Sequence, residues 1–226
     1  GKPVSLVDFN RSGVPLVEIV TKPDIHSSSQ ALEYAKKLRE IIRSLRVSDC
    51  DMEKGSMRLE ANVSMSSDGS LPDYKVELKN INSFKFLSKA INAELVRQEK
   101  ALNDGEKLIQ ETRGYDELKQ TTFSQRTKAD AHDYRYFPEA DLPPMRFNDS
   151  QIEDIKGEIP ELPAQKRFRF VTDYKISKEF ADILVFDKDR AKYFEEATAL
   201  AEKEKIEARL VADLMVNKKL DSQYPE

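Results

Sequence analysis

Residues 55–65 read Gly-Ser-Met-Arg-Leu-Glu-Ala-Asn-Val-Ser-Met, and from residue 57 onward apolar and polar side chains alternate. A period of two is typical of a β-strand that has one buried face and one solvated face. Asp68 and Gly69 then mark a turn. Residues 75–79 (Lys-Val-Glu-Leu-Lys) alternate again. The two stretches therefore predict neighbouring antiparallel strands that share one polar face.

Outward from these strands, the first part of the chain mixes strand-like and helix-like segments. Apolar residues recur every three or four positions over 28–46 and again from Ser83 to about residue 102, which predicts two amphipathic helices. Residues 5–9 and 15–21 have patterns that predict two further strands.

The second part of the chain has a different character. A proline-rich stretch at 137–144 predicts an extended connector. After it, helices are expected to begin near Ser150, Pro163 and Ser177, with one or two more between 189 and 218. We therefore predict an α+β domain over residues 1–147 and an all-α domain over residues 148–226.

Composition excludes several classes of protein. The 226 residues contain 37 Lys and Arg against 41 Asp and Glu, so a basic patch for nucleic acid would have to be local. A single cysteine, Cys50, argues against a disulfide scaffold and for a reducing compartment. No apolar run approaches the roughly 18 residues of a membrane span. No glycine-rich nucleotide-binding motif is present.

Acidic and basic side chains gather on the predicted polar strand face. Carboxylates without nearby histidines or thiolates suit hard cations such as Mg²⁺, and neighbouring lysine and arginine suit the phosphates that Mg²⁺ bridges. Asn82, at the start of the second predicted helix, is a further candidate for anion binding. The candidate residues on this face are Glu60 and Glu77, with Arg58 and Lys79. Glu18, on a separate predicted strand, and Glu53, just before the first alternating stretch, are further candidates.

A second interpretation of this face stays open. Sheets with one wet face commonly carry cross-strand Glu, Lys and Arg pairs that only keep the sheet solvated. Glu18 fits that interpretation less well, because it lies between Leu16 and Val20 on an otherwise apolar stretch. A carboxylate in such a place is unusual unless it is paired, ligating or at an edge.

Six segments, in order and spacing, resemble the B subunits of the glutamyl/aspartyl-tRNA amidotransferases. They are 6–11 (LVDFNR), 13–20 (GVPLVEIV), 55–64 (GSMRLEANVS), 77–84 (ELKNINSF), 110–113 (QETR) and 132–139 (HDYRYFPE). The resemblance implies an antiparallel-sheet cradle domain of glutamine synthetase and guanidino kinase type, incomplete in this chain. An all-α helical domain is implied to follow it.

The resemblance also implies an activity. Such enzymes are ligases that use ATP and Mg²⁺ to phosphorylate the side-chain carboxylate of mischarged Glu-tRNA(Gln) or Asp-tRNA(Asn), which is then amidated with ammonia. The implied partners are the amidase (A) component and a small (C) component of a heterotrimer, together with the tRNA. No membrane is implied as a partner. The implied location is the bacterial or archaeal cytoplasm or an organellar matrix.

Carried over residue by residue, the resemblance implies catalytic and metal-binding roles for Glu18, Glu60 and Glu77, with Glu53 as a further metal ligand. It implies that the phosphate or acyl group contacts Arg58, Lys79, Asn80 and Asn82. Glu60 stands where the family usually has aspartate. We expect the family's N-terminal metal ligands and tail domain to lie outside residues 1–226, and the chain alone to be inactive. The alternative function is a non-catalytic tRNA-binding or complex-assembly module.

Overall fold

The computed structural model describes residues 4–10, 13–127 and 143–219. Within them the fold is α+β, with four strands and seven helices. The strands are β1 (Leu59–Val63), β2 (Val76–Ile81), β3 (Glu111–Asp116) and β4 (Thr121–Thr127). The helices are α1 (Ser28–Ser44), α2 (Phe84–Asn103), α3 (Asp149–Glu158), α4 (Pro163–Thr172), α5 (Lys178–Val185), α6 (Lys188–Lys203) and α7 (Ala208–Asn217).

The four strands form one sheet in the order β1-β2-β3-β4. β2 pairs with β3 in parallel and β3 pairs with β4 antiparallel, so the sheet is mixed, which corrects the expected antiparallel sheet. The physical reason is the connection between β2 and β3: helix α2 carries the chain back to the end where β2 began, and such a crossover produces a parallel pair. An irregularity in the β3–β4 register falls between Thr112 and Arg113.

The strongest sequence patterns are confirmed. β1 and β2 are hydrogen-bonded neighbours, and exposure alternates along β1, with Glu60 and Asn62 exposed and Val63 buried. The helices predicted at 28–46 and up to residue 102 are α1 and α2, and those near 150, 163 and 177 are α3, α4 and α5. The stretch 189–218 forms two helices, which separate after Lys203.

The prediction of strands at residues 5–9 and 15–21 is wrong, because neither stretch forms a strand in the structure. Their apolar side chains are exposed, with Leu6 at 95% and Leu16 at 91% of full exposure. A strand exists only where a neighbour accepts and donates its backbone hydrogen bonds, and side-chain alternation does not supply that neighbour. The sequence patterns did not predict β3 and β4, although four threonines, Tyr115 and Phe123 lie along them, and these residue types favour strands.

The described residues divide into two compact units. One comprises those within 1–31, 60–81 and 85–156, and the other those within 32–59, 82–84 and 157–226. The first contains most of the sheet and most of α2. The second contains most of α1 with α4–α7, where Arg167 pairs with Glu40 of α1 and, at 2.9 Å, with Asp182 of α5. The domain boundary at residue 147 stays a prediction.

The helices of the second unit enclose an apolar core. Phe170, Leu184 and Phe194 are fully buried there, and the rings of Phe170 and Phe194 lie 5.0 Å apart between centroids. Among the described residues, no helix has the length and apolarity to cross a membrane.

Candidate functional site

Three of the predicted site residues meet on the exposed side of β1 and β2. The Lys79 ammonium lies 3.7 Å from Oε1 of Glu60 and 3.5 Å from Oε1 of Glu77. Alternation explains the meeting, because Glu77 and Lys79 are two residues apart on β2 and therefore point to the same face. We call Glu60, Glu77 and Lys79 the strand-face cluster.

The neighbouring strand β3 holds the Glu77 carboxylate. Thr112 is the register partner of Glu77 in the parallel pair, and its hydroxyl donates a hydrogen bond of 3.0 Å to Oε2 of Glu77. Thr112 is itself buried. One carboxylate oxygen of Glu77 thus faces Lys79 and the other is oriented by β3, which restricts how the side chain can turn.

Asn80 interrupts the alternation of β2. Its φ is 60°, in the left-handed region that non-glycine residues rarely adopt and that asparagine tolerates best. As a consequence Asn80 is exposed and the next residue, Ile81, is buried, whereas strict alternation would reverse them. Strained backbone of this kind concentrates at functional sites.

Two other predicted residues, Glu53 and Asn82, line a separate cavity within the second unit. Its volume is about 360 Å³, and its lining consists of Arg39, Asp51, Met52, Glu53, Asn82, Ser83 and Phe84. The Arg39 guanidinium lies over the Phe84 ring, 5.5 Å from its centroid. We call this space the Arg39 cavity.

The turn on one side of the Arg39 cavity is organised by Asp51. Its Oδ1 accepts the backbone N–H groups of Glu53 at 2.9 Å and Lys54 at 3.3 Å. These bonds, that of Lys54 first, lower the pKa of the Asp51 carboxyl below its usual value. Gly55 closes the turn with a φ of 73°, which explains glycine at this position. Asp51 is therefore satisfied by its own turn.

The remaining predicted residues lie apart from these groupings. Arg58 is exposed just before β1, and Glu18 is exposed in the stretch that forms no strand. Among residues 4–10, 13–127 and 143–219, no three His, Cys, Asp or Glu side chains are close enough together to hold a metal ion. The four-carboxylate metal set therefore stays a prediction, and the structure brings only Glu60 and Glu77 of that set to one lysine.

The strand-face cluster nevertheless has chemistry suited to magnesium. Mg²⁺ in nucleotide-using enzymes is commonly held by one or two carboxylates, with the other ligands supplied by water and substrate phosphates. Glu60 and Glu77 offer two carboxylates on one face, and Lys79 between them offers a positive charge for phosphate oxygens.

Two residues in these sites could not be selected from the sequence alone. Thr112 lies in a strand that was not predicted, so its place beside Glu77 depends on the parallel register. Arg39 lies on a charged helix with Lys36, Lys37 and Arg43 nearby in sequence, and nothing in that pattern distinguishes it.

Comparison with known proteins gives a consistent result. Residues 1–153 match the family model described as the GatB/GatE catalytic domain. The chain is 50% identical over 197 residues to a protein of Persephonella marina and 48% identical over 199 residues to one of Roseiflexus sp.. A protein of Clostridium novyi is 46% identical over 202 residues. Each of the three relatives carries the name of the B subunit of an aspartyl/glutamyl-tRNA(Asn/Gln) amidotransferase.

These alignments cover most of this chain but less than half of each relative. They include 87% of the chain and 42% of the Persephonella protein, 87% and 41% for Roseiflexus, and 89% and 42% for Clostridium. The chain thus spans about two fifths of the length of the curated relatives that it matches.

Proposed function

The chain belongs to the GatB/GatE catalytic-domain family, and on that premise we propose that it carries part of the carboxylate-activating site of a tRNA-dependent amidotransferase, a ligase. The observation that carries the proposal is the strand-face cluster, in which Lys79 lies between the carboxylates of Glu60 and Glu77. The substrate is the side-chain carboxylate of glutamate or aspartate mischarged on tRNA, and the second substrate is ATP.

The proposed reaction has two steps. A side-chain carboxylate oxygen of the aminoacyl group attacks the γ-phosphorus of ATP, and ADP leaves. Ammonia then attacks the activated acyl carbon, and inorganic phosphate leaves with the amide formed. The first step brings several negative charges together, so cations must neutralise them as the transition state forms.

Residues of this chain supply that neutralisation. Glu60 and Glu77 would hold Mg²⁺, with Glu18 and Glu53 as proposed further ligands, and Lys79 would contact phosphate oxygens. Mg²⁺, when bound, withdraws charge from the transferring phosphoryl group. Thr112 keeps Glu77 oriented through its 3.0 Å hydrogen bond. Arg58, Asn80 and Asn82 are proposed to contact the phosphates or the acyl group.

The partners follow from the ammonia requirement. We propose that an amidase partner, the A component, releases ammonia from glutamine, and that a small C component completes a heterotrimer that acts on tRNA. The complex would work where translation occurs, in a bacterial or archaeal cytoplasm or in an organellar matrix. The residues that activate the carboxylate and those that release ammonia would then belong to different polypeptides.

The second candidate function is a non-catalytic tRNA-binding or assembly module. It is favoured by one observation: Glu60 and Lys79 are both substantially exposed, as in an ordinary solvating pair across a sheet. The two functions differ in what they require of Glu77, because a module needs its shape and an enzyme needs its negative charge.

The substitution Glu77→Gln distinguishes between these two candidate functions. In the full natural polypeptide containing this chain, assembled with its partners, we expect the variant to reduce amidation with glutamine or free ammonia by roughly a hundredfold or more, because one metal-binding carboxylate is lost. Glutamine hydrolysis by the amidase partner should remain measurable. Gln keeps the volume and can still accept the Thr112 hydrogen bond.

Glu99→Gln is the matched control, since Glu99 is exposed on α2 and lies outside the cluster. It should amidate at the wild-type rate. Near wild-type amidation by Glu77→Gln with free ammonia would show that Glu77 is not in the metal site and would favour the module.

A further inference from the structure

The two faces of β3 carry different chemistry. The parallel register places Thr112 beside Glu77, so Thr112 lies on the open face with the strand-face cluster. Glu111 and Arg113, on either side of Thr112, lie beside fully buried residues of β2 and therefore point to the opposite face. On that face Arg113 pairs with the buried Glu94 of α2. β3 thus connects the candidate site to the buried ionic network beneath α2.

Thr112 is the fixed partner of the Glu77 carboxylate. The Glu77 side chain is 19% exposed, against 49% for Glu60, so its neighbours decide its orientation more than solvent does. Its Oε1 lies 3.5 Å from the Nζ of Lys79, a long and partly exposed side chain. Its Oε2 accepts the 3.0 Å hydrogen bond from Thr112, which is buried within β3. The place of β3 in the sheet therefore sets the place of the Glu77 carboxylate.

The ladder between β3 and β4 is irregular at this point. Thr112 pairs with Arg126 and Arg113 pairs with Ser124, so Gln125 is an extra residue on β4. Such a bulge disrupts the local backbone hydrogen bonds, and bulges are over-represented next to active sites, where they re-aim a side chain. Backbone pairing alone consequently holds β3 less firmly at Thr112 than a regular ladder would.

Arg113 spans the bulge from the buried face. Its Nη1 donates at 2.8 Å to Oε1 of Glu111, on one side of the bulge. Its Nε and Nη2 donate at 3.0 and 2.9 Å to the hydroxyl and carbonyl oxygens of Thr122, on the other side. Its Nε also lies 3.5 Å from Oε2 of Glu94, and the side chain is only 12% exposed. The planar guanidinium thus joins β3, β4 and α2 where the ladder is weakest.

We propose that Arg113 and Thr112 are positioning residues for Glu77. Arg113 fixes the bulge from the buried face, and Thr112, on the open face, then holds the Glu77 carboxylate in one orientation. Both act through Glu77 rather than on the substrate. Loss of such support typically lowers metal affinity or activity by roughly 10- to 100-fold. This inference rests on the proposed function, in which Glu77 holds Mg²⁺, and it gives the buried network a role beyond stability.

The test is an equilibrium titration of the full natural polypeptide, assembled with its partners, with Mg²⁺ alone. The part of the binding that Glu77→Gln abolishes defines the site. Thr112→Val removes the donating hydroxyl and should weaken binding at this site by about tenfold. Thr112→Ser keeps the hydroxyl and should bind within about twofold of the wild type. Thr121→Val, at an exposed position of β4, is the control and should bind as the wild type does.

Thermal melting of the Thr112 variants separates positioning from a purely structural role. Serine loses a buried methyl group, whereas valine keeps the branched shape and favours strands. Thr112→Val should therefore melt no earlier than Thr112→Ser, while Mg²⁺ binding should rank the two variants in the opposite order. If binding follows the order of stability, Thr112 supports only the fold and the inference fails.

A double-mutant cycle tests whether Arg113 acts through Thr112. Arg113→Lys keeps the charge but loses the planar fork, and it should weaken Mg²⁺ binding about three- to tenfold when Thr112 is present. In the Thr112→Val background the further loss should be less than about twofold. Equal losses in both backgrounds would show a general loosening and overturn the role of Arg113. If Arg113→Lys does not fold, Glu111→Gln, which weakens a single bond of Arg113, replaces it in the cycle.

The outcomes separate this inference from the proposed function. If Glu77→Gln abolishes both Mg²⁺ binding and amidation while Thr112→Val binds as the wild type does, the inference fails and the proposed function stands. If Glu77→Gln binds Mg²⁺ and amidates normally, both fail, because Glu77 then holds no metal. Weakened binding in Thr112→Val that Thr112→Ser restores supports the positioning role.

Discussion

The core of α4–α7 is apolar, whereas the core between α2 and the sheet contains buried charge. Phe170, Leu184 and Phe194 fill the helical core, and Thr198 of α6 is the one buried polar residue among the described residues of that unit. In the sheet unit, Glu94 and Gln98 of α2 are both fully buried. Non-directional packing therefore dominates in the helical core, whereas the sheet unit combines buried apolar residues such as Val76 and Leu78 with hydrogen bonds of fixed geometry.

Glu94 is the centre of the polar core. It accepts hydrogen bonds from Arg97 at 2.6 Å, Gln98 at 2.7 Å and Thr122 at 2.7 Å. Gln98 in turn donates at 3.1 Å to the carbonyl oxygen of Val63. The network thus ties α2 to β1 and β4, and hydrogen bonds from Arg97, Gln98 and Thr122 satisfy the buried carboxylate.

This difference between the two cores indicates which side-chain substitutions each region tolerates. An apolar core accepts another side chain of similar volume, because its contacts have no preferred direction. A buried ionic network loses most when a single member is removed, because the partners keep their desolvation cost without their bonds. The three predictions below test this contrast.

The largest effect is expected from Glu94→Ala. Removing the central carboxylate leaves buried donors without an acceptor, and we expect the sheet unit to lose about 3–5 kcal/mol of stability. Hydrogen exchange of the β3 and β4 backbone amides in the full polypeptide measures this loss locally. Glu99→Ala, an exposed position on the same helix, should change stability by less than about 0.5 kcal/mol. A loss below about 1 kcal/mol for Glu94→Ala would contradict the network's role.

An intermediate effect is expected from Phe194→Leu in the helical core. Leucine keeps the site apolar but loses ring contacts with Phe170 and Tyr174, whose centroids lie 5.0 and 5.3 Å away. We expect a loss of about 1–2.5 kcal/mol, read from exchange of the α4 and α6 amides. Phe168→Leu serves as the control, because Phe168 is 72% exposed on α4. If both variants cost the same, ring packing does not stabilise this core.

The smallest effect is expected from a surface ion pair of the helical unit. Arg169 donates to both carboxylate oxygens of Glu161, at 2.7 and 2.6 Å, and these bonds lower the pKa of Glu161 from its usual 4.5. A carboxyl whose pKa is lower when folded stabilises the fold above its unfolded pKa. That contribution is lost as pH falls below about 4.5 through the folded pKa.

Glu161→Gln should therefore lower stability at pH 7 by less than about 1 kcal/mol, because the pair is partly exposed and screened. The difference from wild type should shrink as the pH is lowered below 4.5, the usual pKa of this carboxyl. Urea unfolding across that pH range measures it, and Glu158→Gln, at an exposed position without this pairing, is the control. A difference that stays constant with pH would exclude titration of Glu161 as its cause.

Much of the fold could be read from local patterns, and the candidate site only in part. The alternation over 57–65 identified β1, and the shared face of Glu77 and Lys79 followed from their spacing. The same alternation over 15–21 led to a wrong prediction of a strand, because no neighbouring strand pairs with that stretch among the residues that the structure describes. A local pattern of apolar and polar residues indicates which side chains could share a face. Strand pairing also requires a second segment, and the pattern does not identify that segment.

The sequence by itself determined where helices and the first strand pair form, that the chain belongs with the GatB/GatE family, and that carboxylates and a lysine share one strand face. Only the tertiary structure decided the parallel register that places Thr112 against Glu77 and the left-handed backbone conformation of Asn80 within β2. The burial of the Arg39 Nε away from any acceptor among the described residues was likewise decided by the tertiary structure. The physical reason is the distance along the sequence over which each effect acts. Periodicity and composition act between residues a few positions apart, whereas register and burial arise between segments far apart in the chain, where packing chooses among many compatible pairings.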